Sequence, residues 1–407
     1  MKSLFGVTLG ILTAIGGFLD AGTISTSGEA GATFGLGLVW TVIVGTVAVV
    51  LLVEMSGRLA AVSQHTYAEA IRDRFGFPFF LLPLVTELIA ESILLAAQIG
   101  GVAIAVSLFT GVDWHVLFPF AALFLWCLVW RAPFGVIENG PALLGLVTLS
   151  FIAGIVSLGG PDHELVTTLW RPQVESGEPA DYFFLVAAIL GATVSPYLVY
   201  FYSSGAKEES WTEESLSLNR ITAVVGMGFG CIGSIAVICL TAMVLKPLNM
   251  GAGTLQELGL GMAEPYGKVG SWLFAIVLFA TCLGAALEVL LSLGYMTAQG
   301  LGWEWGEHKK PAEAPRFNLA LLVILLVAVL VGLTGLDPLQ LAIYGSALIA
   351  LVLPFSLAPF LIIMNDPRYL GDRTNHRAAN LATVAIILVA SVVALVSIPL
   401  LILSGGG

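Results

Sequence analysis

The sequence predicts an all-α integral membrane protein. It reads as one transmembrane domain of two five-helix repeats in inverted orientation, with an eleventh helix at the end. Three observations carry this. Hydrophobic residues make up 58% of the 407 and charged residues only 11%, with a mean hydropathy of +0.97, whereas soluble domains carry about 25% charged residues. Apolar stretches long enough for membrane-spanning helices, which need roughly 20 residues, follow one another along the chain, without the alternation of β-barrel strands. Two of these stretches, the first and the sixth, are interrupted in mid-membrane by residues that break helices.

With Gly, Pro and charge as punctuation, the spans fall near 5–33, 36–62, 76–108, 114–130, 133–158, 182–205, 219–245, 268–300, 317–335, 338–363 and 378–403. The first is long because "GGFLDAGTISTSGEA" interrupts it with Asp20, Gly22 and a run of small hydroxyl residues. The start has the outline of a signal peptide, but a single lysine precedes a long apolar core that ends on an acid, so it is read as a span. Span two closes with Glu54 and Arg58, an i, i+4 pair. Span three carries Glu87, Glu91 and Gln98 at i, i+4 and i+11, along one helical face. Span five holds Glu138 near one end. Span six, "LGATVSPYLVYFYSSG", has Pro196 in its middle. Span eight carries Glu288, deep and without an assigned partner. Repeat one is expected at about 5–158, repeat two at about 182–363, and the extra helix at about 378–403.

Orientation follows the distribution of Lys and Arg in the loops. With the N-terminus inside, Lys2, Arg58, Arg72, Arg74, Arg131, Lys207, Arg220, Lys309, Lys310, Arg316, Arg368, Arg373 and Arg377 are cytoplasmic. Only Arg171, Lys246 and Lys268 lie outside, which accounts for all 16 basic residues. The expected location is the plasma (inner) membrane, multi-pass, with the C-terminus outside. The loop from Gly159 to Asp181 is acidic and external; it either concentrates cations at an outer mouth or is simply solvated.

Cys127, Cys231, Cys239 and Cys282 lie in apolar spans without CxxC spacing, which favours packing over metal or disulfide chemistry. All five histidines fall in loops. There is no nucleophile–histidine constellation, P-loop or HExxH, so no enzymatic activity and no cofactor is expected. A net charge of -11 argues against a nucleic-acid partner. The expected partners are the lipid bilayer and a cation, with no obligate protein partner evident.

The two interruptions point to a site. Proline frees carbonyls by removing a donor and clashing with the preceding turn. Irregular backbone at membrane depth is tolerated where it lines a cavity or is buried in protein. Broken helices five spans apart are the mark of inverted repeats around a midplane site. Asp20 supplies a full negative charge at the break, Thr23 a neutral oxygen, Ala192 an exposed carbonyl and Ser195 a hydroxyl. Together they form an oxygen site for a cation, and an intramembrane acid is a functional hypothesis by default. The alternative is that Asp20 caps the second half-helix; both can hold at once.

At these residues the chain resembles the Nramp divalent-metal transporters over nearly its whole length. "DAGTIST" stands where that family has Asp-Pro-Gly-Asn, and "GATVSPY" where it has Met-Pro-His. "GRLAAVSQHTYAEAIRDRF" is similar to its conserved intracellular stretch, and "DPLQLAIYGSALIALVLPFSLAPFLIIMNDPRYLG" to its tenth helix. The resemblance implies a LeuT-type fold and alternating access. By residue it implies Asp20, Thr23 and Ala192 at the Asp, Asn and carbonyl ligand positions, with Ser195 replacing the methionine and Ser346 replacing an assisting glutamine.

Loss of the thioether removes a bias towards soft metals, and an all-oxygen set with small side chains suits a partly hydrated Mg(II). The family's span-six histidines correspond to Tyr197 and Tyr202, and its span-three acids to Leu95 and Gln98, which puts proton coupling in doubt. The pattern resembles the Nramp-related magnesium transporter branch. Glu87, Glu91 and Gln98 rank first as vestibule lining, then as structural groups bonded to neighbouring helices, then as a displaced proton route. Glu138 is expected in a gate or scaffold contact. The functional expectation is an alternating-access transporter of Mg(II), with Mn(II) as a further candidate ion, running without proton coupling. The alternatives are a proton-coupled Mn(II)/Fe(II) importer and a transporter of an amino acid or other amine-bearing solute on the same fold.

Overall fold

The computed structural model describes residues 19–131, 148–169, 179–307, 309 and 311–403. The α-helices among them are α1 (Ala21–Phe34), α2 (Val39–Ser63), α3 (Tyr67–Phe75), α4 (Phe77–Thr110), α5 (Trp114–Arg131), α6 (Leu149–Ser157), α7 (His163–Thr167), α8 (Pro179–Thr193), α9 (Tyr197–Glu208), α10 (Leu216–Val244), α11 (Leu255–Tyr266), α12 (Lys268–Leu301), α13 (Pro315–Gly332), α14 (Pro338–Met364), α15 (Pro367–Leu370) and α16 (Arg377–Leu403). No strand occurs among the described residues.

Among the described residues, nine segments are long and apolar enough to cross a membrane, α8 and α9 counting as one. They correspond to expected spans two to four and six to eleven. Of span one the described part is α1, and of span five α6. Glu138 lies outside the described residues.

Four helices, α3, α7, α11 and α15, fall in stretches read from sequence as connections. The two longer ones start with a reciprocal cap, Thr66 with Glu69 on α3 and Thr254 with Glu257 on α11. These boxes satisfy orphan N–H groups of the first turn, so short helices form there although neither is a span.

The centre is α4, which packs along α12 and α14, while α8 lies between α14, α16 and α1. Lipid gives helices no hydrophobic reason to associate, so close packing of small residues must do it. The contacting faces are accordingly small: Ala96, Ala97, Gly100, Gly101 and Ala103 on α4, and Ala275, Ala280, Ala285 and Ala286 on α12. The large apolar side chains turn outward instead, as at Phe120 on α5, Leu330 on α13 and Leu381 on α16. Such surfaces are a liability in water and the natural face towards acyl chains.

The sixth span is broken as its proline requires. Helix stops at Thr193 and resumes at Tyr197, with Val194, Ser195 and Pro196 between the two helices. On the first span, α1 begins at Ala21 with Asp20 as its N-cap. Together these place an irregular segment of span six and a helix start of span one inside the same core.

Candidate metal site

Asp20 adopts extended backbone geometry, φ -135° and ψ -178°, which lets its side chain fold back over the first turn of α1. Oδ1 accepts from the Thr23 N–H at 2.6 Å and from the Thr23 hydroxyl at 2.9 Å. The Asp20 N–H donates in return to Thr23 Oγ1 at 2.8 Å. The physical reason is the four orphan N–H groups of a helix start and their partial positive charge. The acid thus caps the positive end of α1, as the capping alternative expects, while the first half of span one lies outside the described residues.

Gln98, on α4, completes the clamp. Its amide nitrogen donates to Asp20 Oδ2 at 2.8 Å, and its carbonyl accepts from the Ala21 N–H at 2.9 Å. A carboxylate has about four lone-pair positions. Thr23 N, Thr23 Oγ1 and Gln98 Nε2 fill three of them, and the Gly22 N–H faces the same carboxylate. Asp20 is 2% exposed, so its charge is held by donors and not by water.

Ser195, in the break, is also buried, and its hydroxyl donates to Glu91 Oε1 on α4. Ala192 sits in the last turn of α8; its carbonyl would be matched by the N–H of residue 196, which is proline and has none. Tyr197 opens α9, and its carbonyl accepts from Ser292 Oγ of α12 at 2.8 Å. Glu288, buried on α12, is one turn from that contact.

Ser346 of α14 joins the two broken spans. Its hydroxyl is buried without a hydrogen-bond partner. A Cβ at Gly22 would stand 2.8 Å from Ser346 Oγ and 3.2 Å from Asp20 Oδ1, so the hydroxyl and the carboxylate share the space over that glycine. A Cβ at Gly191 would come within 1.8 Å of the Ser346 carbonyl oxygen; glycine is what lets α8 touch the α14 backbone. Ser346 thus stands between the start of α1, at Gly22 and Asp20, and the end of α8, at Gly191, while Gln98 holds Asp20 and Glu91 holds Ser195.

The third sequence-picked acid, Glu87, accepts from Ser356 Oγ of α14. Sequence reasoning missed the roles of Gln98, of Ser356 and of the two glycines. The i, i+11 spacing put Gln98 on the correct face of α4, but its target lies 78 residues away in the chain. Among the described residues no group of three or more His, Cys, Asp or Glu is placed to hold a metal ion. Cys282, though buried in the core, packs its sulfur where a Gly101 side chain would stand, as packing and not ligation requires.

Glu54 and Arg58 form the expected ion pair at 3.1 Å. Arg58 does more than that pair, since it also donates to the Arg373 carbonyl and to Asn375 Oδ1.

A family model, natural resistance-associated macrophage protein-like (Nramp), matches residues 10–400. The divalent metal cation transporter MntH of Deinococcus radiodurans is 26% identical over 392 residues, covering 92% of this chain and 85% of that protein. That of Erwinia tasmaniensis is 25% identical over 372 residues, covering 89% and 86%. Among solved structures, a mutant Eremococcus coleocola manganese transporter superposes with a TM-score of 0.79 at 20% identity, over 96% of this chain and 85% of that one. Mhp1, a nucleobase-cation-symport-1 family transporter, gives 0.65 at 14% identity, covering 96% and 91%. These likenesses show a LeuT-type fold. With the family model running over almost the full length, the chain belongs to the Nramp family.

Proposed function

We propose that the protein is a membrane transporter for divalent cations that carries Mg(II), and Mn(II) with it, by alternating access and without obligatory proton coupling. The observation that supports it is the buried Asp20 carboxylate, clamped by Thr23 and Gln98 inside the core. The broken α8–α9 segment and the unpartnered Ser346 hydroxyl stand beside it. The relatives named divalent metal cation transporters support the cargo class.

The preference for Mg(II) rests on the donor set. Mg(II) keeps several waters and takes one or two carboxylates; small residues at 23, 195 and 346 leave room for that shell. Ser195 hands its hydrogen to Glu91 and so turns lone pairs to anything else in reach. No sulfur replaces the family's methionine at that position. Neutral Leu95, Gln98 and Tyr197 at the family's proton positions support uncoupled transport. In this reading the break at 194–196 and the start of α1 act as joints about which helix halves tilt. The basic-residue asymmetry supports a cytoplasmic N-terminus, an external C-terminus and a plasma (inner) membrane location.

A second reading, a proton-coupled Mn(II) importer, is favoured by the named manganese function of the Eremococcus relative in structure and by the acids retained on α4. Calorimetric titration of the purified protein with Mg(II), Mn(II) and Cd(II) in parallel separates the two. We expect Mg(II) to bind and to compete with Mn(II), with Cd(II) gaining no large advantage. Ser195→Met should shift preference towards Cd(II) by about tenfold, or ~1.4 kcal/mol. Cd(II) blocking uptake at low micromolar levels while millimolar Mg(II) fails, together with acidification of the lumen during uptake, would establish the second reading instead.

A further inference from the structure

The geometry points to a second cation site on the same path, built by Glu87 and Glu91 of α4. This rests on the divalent-cation reading above and extends it from one binding position to two. Glu91 lies seven residues from Gln98 on the same helix, about 10 Å along the axis at 1.5 Å per residue. Glu87, eleven residues and about 16 Å from Gln98 along the axis, is remote from the Asp20 clamp, while Glu91 reaches towards it through Ser195.

Glu87 and Glu91 are 1% and 0% exposed, and they share a helical face, one turn apart. One oxygen of each accepts from a serine hydroxyl on a different element: Ser356 of α14 for Glu87, and Ser195 of the α8–α9 break for Glu91. The other oxygen of each, Oε2, is buried without any hydrogen-bond partner. Among the described residues no ion pair involves either acid, and no hydrogen bond links one carboxyl to the other.

Two buried carboxylates side by side are costly unless something positive lies between them. A proton shared by the pair would join them oxygen to oxygen; here each is tied instead to its own serine, and the orphaned oxygens are left for a ligand. Two carboxylate oxygens with nearby hydroxyls are ligands that a hard divalent cation takes. Ser195 connects the stations, since its hydrogen goes to Glu91 while its lone pairs remain for the ion at Asp20. On the far side Tyr67 closes the pair off, its hydroxyl donating to the Ser356 carbonyl and its ring packed 4.6 Å from that of Tyr200. A cation leaving Asp20 towards Tyr67 thus meets a second pair of charges before it meets the plug.

The test is equilibrium binding of Mn(II), followed by electron paramagnetic resonance, to the full chain in detergent. Asp20→Ala removes the first station. We expect that variant to retain one Mn(II), bound more weakly than wild type, and to lose it when Glu87→Gln and Glu91→Gln are added. Glu87→Asp with Glu91 intact, in the Asp20→Ala background, should restore binding, and a monodisperse gel-filtration profile shows that each variant is folded. Complete loss of Mn(II) in Asp20→Ala alone, or unchanged binding after both glutamines are introduced, overturns the second site while leaving the first. Wild-type protein that binds no Mn(II) at all overturns the transport reading itself.

Discussion

Asparagine caps a helix as well as aspartate does, and that equivalence separates the two roles that meet in Asp20. As a cap, the side chain accepts from Thr23; as a ligand, it supplies charge. Asp20→Asn, its amide oxygen towards Thr23, should keep the cap while losing the bond from Gln98, so that it stays more stable in detergent than Asp20→Ala and yet loses Mg(II) uptake in proteoliposomes. Asp20→Ala should lose both, with about 1 kcal/mol of stability gone with the cap. Normal uptake by Asp20→Asn would leave the residue as a cap alone. Thr23 belongs on the cap side of this comparison: its hydroxyl accepts from the Asp20 N–H and donates to the carboxylate, so it positions the acid even where it also reaches an ion. Asp20 and Ser195 were legible in the sequence because an acid and a serine before proline are improbable at membrane depth without a reason. The clamp by Gln98 was not legible, because a polar residue on a helix face says nothing about which distant backbone will meet it.

At the scale of elements, the break in span six follows from Pro196, and the ends of most spans fall within a few residues of where Gly, Pro and charge put them. What the sequence could not reveal is which helix the break leans on. Gly191 answers that by tertiary contact, its missing side chain admitting the Ser346 carbonyl. Gly191→Ala should therefore force α8 and α14 apart and cost about 1–3 kcal/mol as overpacking, seen as a lowered unfolding temperature; an unchanged transition would mean that the two backbones can part freely. The short helices α3 and α11 were readable from their Thr-x-x-Glu boxes but carry no hydropathy signal. Helix α3 is then tied down by charge, Arg74 Nε lying 3.0 Å from Asp366 Oδ2. Hydrogen bonds from Arg368, with Arg74 beside them, hold the Asp366 carboxyl well below the usual carboxylate range. A depressed folded-state pKa gives stability that is present above the ordinary pKa and is lost as pH falls through it towards the folded value. Between about pH 5 and pH 3, across the ordinary carboxylate range, the wild-type unfolding temperature should fall more steeply than that of Asp366→Asn; parallel curves would remove Asp366 from the stability of this end.

For the whole molecule, the question is which end of the core is shut, and by what. Asp20, Ser195, Glu87 and Glu91 are all buried, so neither station is open to water in this arrangement. On the side of α3 the closure has two layers. The inner one is Tyr67, fully buried, with its ring 4.6 Å from Tyr200 and 4.7 Å from Phe360. The outer one is polar: Thr66 and Ser204 bond to the Gln299 side chain, and Lys207 pairs with Glu69 at 2.6 Å. Aromatic contacts of this kind contribute about 0.5–1.5 kcal/mol each beyond buried area, and the polar contacts add salt-sensitive increments of similar size or less. A closure of that strength is held against thermal motion yet can be opened by the differential binding of one ion, since each ~1.4 kcal/mol shifts a two-state balance tenfold. Removing the plug should therefore change the balance of conformations without touching either station. In Tyr67→Ala, a cysteine introduced as Ser356→Cys should react about tenfold faster or more with a membrane-impermeant thiol reagent applied from the α3 side, with Cys127, Cys231, Cys239 and Cys282 first replaced. Mn(II) binding at equilibrium should survive in Tyr67→Ala with Ser356 in place, since the Ser356 hydroxyl serves Glu87. Equal reactivity with and without Tyr67 would place the closing element elsewhere, in the Gln299 and Lys207 layer, and the same reagent test on Lys207→Ala would then show the acceleration instead.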